Sequence, residues 1–159
     1  MKLSAWSAAM VLGVFAASSA YAFEDGERKG IWTLSCGTGL CQAFMTIEAE
    51  GKDILSWTIT ANPERNLVSM LLSAPVGTAL PPGIRFWTAA ETYFDVPFQV
   101  CDPNACTAVA VVDAKMRQAI AGTKAVRVSY YVYGKADPIV FDAAVEGFPD
   151  AVAALEAHT

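Results

Sequence analysis

The chain has 159 residues, 54% hydrophobic and 17% charged, with a formal net charge of −5. The acidic excess is spread along the sequence without a basic run or arm, which excludes nucleic acid as a partner, because phosphate neutralisation needs clustered cations. No Pro/Ser-rich linker or low-complexity segment divides the chain, and no window past the N-terminus reaches the roughly 18 to 20 uninterrupted apolar residues of a membrane-spanning helix.

The N-terminus reads as an export signal. Lys2 supplies the positive start, Ala8 to Ala17 forms an apolar stretch, and Ala20-Tyr21-Ala22 has the small-x-small form read by signal peptidase. Cleavage is expected after Ala22, so that residues 1–22 leave and residues 23–159 remain as one domain. The apolar stretch is too short to cross roughly 30 Å of hydrocarbon. A lipid anchor is not expected either, since Leu34-Ser-Cys36 lies well past that stretch rather than at its end. The remaining length suits a single core, a size at which folding buries roughly two-thirds of the chain's surface.

Downstream, the dominant pattern has period two, which places alternate side chains on opposite faces of a strand. Trp32, Leu34 and Cys36 alternate with Thr33 and Ser35. Leu55, Trp57 and Ile59 alternate with Ser56, Thr58 and Thr60, and Val126, Val128, Tyr130 and Val132 alternate with Arg127, Ser129, Tyr131 and Tyr133. Further runs at Cys41 to Glu48, Leu67 to Ser73, Ile84 to Thr88, Tyr93 to Cys101, Thr107 to Val112 and Ile139 to Val145 bring the total to about nine strands. Turn residues separate them: Glu50-Gly51, Asn62-Pro63, Pro81-Pro82-Gly83, Gly134 and Asp137-Pro138. Two segments have helical spacing instead. Asp113 caps a short helix with Met116, Ala119 and Ile120 on one face, ending at Gly122, and a C-terminal helix starts near Pro149 with Val152 and Leu155 sharing a face. The predicted fold is all-β: an antiparallel β-sandwich or flattened barrel of about nine strands, with a short internal helix and a C-terminal helix.

The four cysteines form two pairs of equal spacing, Cys36-Gly-Thr-Gly-Leu-Cys41 and Cys101-Asp-Pro-Asn-Ala-Cys106. Four thiols allow three connectivities. A six-residue ring is worth roughly 2 kcal/mol and a long-range link between the pairs roughly 4, so loop entropy favours crossing. Proximity favours the local arrangement, Cys36 with Cys41 and Cys101 with Cys106, because Gly37, Gly39 and Asp102-Pro103-Asn104 let each loop reverse sharply. A zinc site normally spaces its thiolates by two to four residues, and a dithiol oxidoreductase has two intervening residues at a helix N-terminus. The four-residue gap is at the permissive edge for zinc, but export to an oxidising space disfavours a thiolate site, and neither pair has the oxidoreductase arrangement, so no metal is expected.

Catalytic machinery is sparse. The only histidine, His158, is next to the C-terminus, where it makes a poor general base. Asp95 with Asp102, and Glu48 with Glu50, are the carboxylate pairs available to a hydrolase. Gly37-Thr-Gly39 is at most half of a nucleotide-binding fingerprint, lacking its third glycine and following helix. Neither catalytic residues nor a cofactor is expected. Aromatic and basic residues give better candidates for binding: Arg127, Tyr131 and Tyr133 opposite the buried face of their strand, and Trp87 beside Arg85, are types enriched at recognition surfaces, the alternative being that this second face packs under another sheet or the C-terminal helix.

Four landmarks stand in order along the chain: Trp32 ahead of Cys36, the segment Pro75-Val-Gly77-Thr-Ala-Leu80-Pro-Pro-Gly83-Ile84, Pro97-Phe98-Gln-Val-Cys101 followed by Cys106-Thr-Ala108, and Gly147-Phe148 ahead of Ala151 and Leu155. As an ordered set they resemble the invasion-associated locus B (IalB) family of exported bacterial proteins. The resemblance implies a disulfide-bonded β protein that is periplasmic, secreted or associated with the outer membrane. The founding member is linked to host-cell invasion, whereas many relatives occur in non-invasive bacteria. The expected function is that of a non-enzymatic envelope protein binding a protein or surface partner, and the alternative is a periplasmic hydrolase or carbohydrate-processing enzyme using carboxylates.

Overall fold

The structure is a computed structural model that describes residues 23–157 apart from 38, 39, 66 and 89–91. The predicted export signal, Gly39 and His158 lie outside the described residues. In chain order the elements are β1 (Arg28–Lys29), β2 (Trp32–Cys36), β3 (Cys41–Ala49), β4 (Lys52–Asn62), β5 (Leu67–Pro75), β6 (Ile84–Trp87), β7 (Tyr93–Val96), β8 (Phe98–Cys101), β9 (Ala105–Val111), α1 (Ala114–Ala121), β10 (Ala125–Tyr130), β11 (Ile139–Ala144) and α2 (Phe148–Ala157). The strands form a seven-stranded sheet, β1-β2-β3-β4-β5-β9-β8, and a four-stranded sheet, β11-β10-β6-β7. Every pairing is antiparallel, and the sheets stay open rather than closing into a barrel.

The period-two pattern explains why these segments become strands. Leu55, Trp57, Ile59 and Ala61 of β4 and Val68, Met70, Leu72 and Ala74 of β5 all point inward and are at most 5% exposed. From the other sheet, Ile84, Phe86, Val126, Val128 and Tyr130 face them. Burying each such large aliphatic chain is worth about 1.5–3 kcal/mol, which outweighs any local propensity.

Seven strands offer more inner surface than four can cover, and the helices take up the remainder. Phe148, Ala151, Val152 and Leu155 of α2 are buried in the same core. Trp57 joins the layers: its ring lies 5.7 Å from that of Trp32, 5.7 Å from Phe86 of the smaller sheet and 6.5 Å from Phe148 of α2. Asp113 caps α1 as expected, its carboxylate accepting the Met116 N–H at 2.8 Å.

Eleven strands replace the expected nine or so, for two local reasons. The run Tyr93 to Cys101 is two strands, because Pro97, with no N–H to give a ladder, stands where the chain crosses from the smaller sheet to the larger. The two-residue β1 is too short to show a period. One strand also ends early. Beyond Tyr130 the chain pairs with the 77–79 loop, the Tyr131 carbonyl accepting from Ala79 N–H at 2.8 Å and Tyr133 N–H donating to Gly77 at 2.7 Å, so Val132 forms only an isolated bridge to Thr78.

Candidate binding surface

The outer face of the four-stranded sheet collects most of the predicted contact residues. Cross-strand register sets Asp142, Arg127, Trp87 and Tyr93 in one row over β11, β10, β6 and β7, and Val140, Ser129, Arg85 and Asp95 in the next. The rows are polar and aromatic because the opposite faces of these strands hold Val126, Val128, Ile84, Phe86 and Val96 in the core. Arg85, Trp87 and Arg127, distant in sequence, thus become neighbours. Tyr131 lines a shallow depression of about 150 Å³ with Pro82, Gly83, Arg85, Asp95 and Ser129. Tyr133 is set apart from the rows, 84% exposed in the turn beyond β10, rather than continuing the strand's face as its spacing predicted.

Each guanidinium on this face is matched by the carboxylate directly across the ladder. Arg85 donates to Asp95 through Nε at 2.6 Å and Nη2 at 2.8 Å, and Arg127 donates to Asp142 at 2.8 and 3.5 Å. The hydrogen bond from Arg85, reinforced by its charge, holds the Asp95 carboxyl below its ordinary value of 3.8, and Arg127 does the same for Asp142. Arg85 also lies over the Tyr93 ring, 5.0 Å from its centre, an arrangement that orients both side chains. The result is a face carrying paired charge beside the half-buried Trp87 ring and the exposed Tyr93 ring, with Tyr93 61% and Val140 50% exposed.

Two of these residues had a signal in the sequence that only the fold makes readable. Tyr93 begins the run taken as one strand, and nothing in that run says which neighbour it will pair with. Asp142 alternates correctly along β11, yet its partner Arg127 is fifteen residues away.

Two of the carboxylates proposed for hydrolysis, Asp95 and Asp102, have hydrogen-bond partners. Asp95 is engaged by Arg85, and Asp102 accepts the N–H groups of Asn104 at 2.7 Å and Ala105 at 3.0 Å in the β8–β9 turn, which lowers its pKa as well. Both environments favour the ionised form, the opposite of what a general acid near neutral pH requires. Glu48 and Glu50 are exposed at the β3–β4 hairpin. Among the described residues no group of three or more potential metal ligands occurs, and no helix is long and apolar enough to cross a membrane.

The disulfides join Cys36 to Cys41 and Cys101 to Cys106. Each pair is directly opposed across a hairpin, with Cα atoms 4.1 and 4.0 Å apart, closer than the 5.5–6 Å usual for disulfides because the loops reverse between facing positions of adjacent strands. The first lies at the Asn62–Leu67 end of the larger sheet and the second at its Pro75 end, so they secure diagonally opposite corners. Two closed disulfides fit an oxidising, extracytoplasmic compartment.

Comparison with known proteins gives a consistent result. A family model described as invasion associated locus B (IalB) protein matches residues 27–156. The crystal structure of invasion associated protein B from Bartonella henselae has a similar fold, with a TM-score of 0.74 over 82% of this chain and 95% of that one, at 19% sequence identity. No curated protein matches the chain in sequence.

Proposed function

The chain belongs to the invasion associated locus B family, and on that premise we propose that it is an exported, non-enzymatic envelope protein that binds a protein or surface partner through the outer face of its four-stranded sheet. The observation that carries this reading is the row Asp142, Arg127, Trp87 and Tyr93, an aromatic and arginine-bearing strip on an open sheet. Interfaces concentrate their binding energy in such residues, because large rigid rings bury much area at little entropic cost and a guanidinium already held in place loses little freedom on contact.

Export by cleavage after Ala22 delivers residues 23–159 to the periplasm or beyond, where the hairpin disulfides close. The partner sits at the envelope or at a host surface. Its affinity comes from Trp87 and Tyr93, while the fixed Arg–Asp pairs select for orientation.

Capture experiments test this. The exported protein, disulfides closed, is expected to retain a partner from envelope or host-surface fractions, and Trp87→Ala or Arg127→Glu should reduce retention at least tenfold without altering the unfolding transition. Retention unaffected by either change, or an absent partner in both fractions, would remove the proposal.

A further inference from the structure

The outer face of the larger sheet is where the unexplained surface lies. Its central row, Thr33, Phe44, Thr58, Leu71 and Val109, crosses β2, β3, β4, β5 and β9 in register, and not one of these positions is charged. The rows on either side continue the pattern: on β4, Ser56 and Thr60 flank Thr58, and on β5, Ser69 and Ser73 flank Leu71. Phe44 and Leu71 are half-buried and stand outside the core, while Val109 is 38% and Val111 50% exposed. Charge returns only at the margins, with exposed Arg28 beside Thr33 and exposed Glu48 near the end of β3. Both helices bury their apolar sides in the core on the inner side of this sheet, so no described element lies over the outer face.

Depletion of charge is one compositional mark of an interface centre. We infer that this face packs against the same face of a second copy of the chain, forming a two-fold dimer. Three observations select that occupant. A hydroxyl both donates and accepts, so a Ser/Thr lattice complements itself, which a face of fixed donors or fixed acceptors does not; Ser73 and Thr107 already pair in this way across β5 and β9, at 3.3 Å. The whole chain carries a net charge of −5, so two copies repel wherever carboxylates would meet, and this face brings none to the contact. Five strands about 4.8 Å apart and three outward residues deep span roughly 500 Å² per copy, and two such faces together reach about 1,000 Å², the lower bound for a specific interface. A two-fold contact is also the commonest closed arrangement for identical chains. The dimer leaves both four-stranded sheets facing outward, each with its Arg127 and Trp87 strip free for a partner.

Sedimentation of the exported protein, disulfides closed, from micromolar to near-millimolar concentration tests the inference. A twofold mass at the upper end is expected, returning to the single-chain mass in Thr58→Glu and in Leu71→Glu, with Trp87→Ala leaving the dimer intact. In the unsubstituted protein, the methyl resonances of Thr58, Leu71 and Val109 should move with concentration while that of Val140, on the other sheet, stays still. A single-chain mass throughout the range, a dimer that survives both substitutions in folded protein, or concentration-dependent shifts confined to the Val140 face would each overturn it. The last outcome would assign self-association to the smaller sheet.

Discussion

Gly30 and Gly147 meet backbone to backbone where the turn before β2 passes the turn before α2. Both have positive φ, +60° and +83°, and a Cβ built on Gly30 would lie 2.3 Å from the Glu146 carbonyl oxygen, while one on Gly147 would lie 2.2 Å from that of Lys29. The close approach seats α2 beside the first strands, where Phe148 reaches Trp32 at 5.8 Å between ring centres. An L side chain with positive φ costs about 1–2 kcal/mol before any collision is counted. Gly147→Ala is therefore expected to destabilise the protein by more than about 2 kcal/mol. Gly134→Ala, at φ +76° with nothing within 4 Å, should lose only the conformational part. Urea midpoints at unchanged slope measure both, and equal losses would show that the Gly30–Gly147 contact yields easily.

The disulfides should act independently, since one secures the β2–β3 hairpin and the other the β8–β9 hairpin at the opposite corner of the sheet. Each closes a six-residue ring, which on the chain-entropy model is worth about 2 kcal/mol. Replacing Cys36 and Cys41 by serine is expected to cost about that much, replacing Cys101 and Cys106 a similar amount, and the fourfold variant close to the sum. Denaturant unfolding of the three variants checks this. A fourfold variant no less stable than either double variant would mean that the two corners are coupled.

Much of the fold was legible because burial enforces alternation. Trp57 and Ile59 had to face the same way on any strand, and the Asp113 and Gly122 signals bounded α1 closely. What the sequence could not show was which strands share a sheet. Pro97 marks a break in the Tyr93 to Cys101 run, yet a proline at that point is equally compatible with an edge strand, and only the pairing of β7 with β6 and of β8 with β9 reveals a change of sheet. The surface proposed for binding was half legible as a cluster for the same reason. Arg85, Trp87 and Arg127 were identifiable by type, whereas Tyr93 and the carboxylate partners follow from register alone. The uncharged outer face of the larger sheet was present as Ser56, Thr58 and Thr60, but alternating hydroxyls signify only an outward side until Leu71 and Phe44 are aligned beside them.

Phe148 packs where α2, Trp32 and Trp57 converge, and it is only 1% exposed. Phe148→Ala should cost about 3–5 kcal/mol, the range for emptying a well-packed aromatic site. Near-ultraviolet circular dichroism should change as well, because both tryptophans lose a ring neighbour. A loss below about 1 kcal/mol, close to that of a surface substitution, would mean that α2 is only loosely docked.

Asp95 and Asp142 give the outer face of the smaller sheet a defined acid response. Their folded values are depressed below 3.8, chiefly by hydrogen bonds from Arg85 and Arg127. A depressed carboxylate contributes stability that is present above its unfolded value and is lost as pH falls through the folded one. The face should therefore keep its paired form throughout neutral and mildly acidic conditions, and open only below about pH 4. Carboxyl carbon titration by NMR is expected to place Asp95 below 3.8 and to return it toward that value in Arg85→Gln. Because the pair is exposed and screened by solvent, the same substitution should leave the urea midpoint nearly unchanged. An Asp95 midpoint unaffected by Arg85→Gln would show that the ion pair does not persist in solution.

Tyr130 ties the sheets together with a single polar bond, its hydroxyl donating to the Ile54 carbonyl of β4 at 2.8 Å. Burial pushes its phenol above the ordinary 10.0, because the phenolate would lose hydration and could no longer donate. A raised folded value implies that the contribution is complete below pH 10 and is lost as pH rises through the folded value, since the unfolded chain ionises first. Tyr130→Phe keeps the ring against Phe141 and removes only the donor, so a loss of about 1 kcal/mol is expected at neutral pH. Above pH 10 that difference should shrink, because only the unsubstituted protein has the tyrosine to ionise on unfolding. Urea unfolding of both proteins from pH 7 to 11 measures the difference directly, and parallel curves across the range would show that the hydroxyl is solvated rather than bound to Ile54.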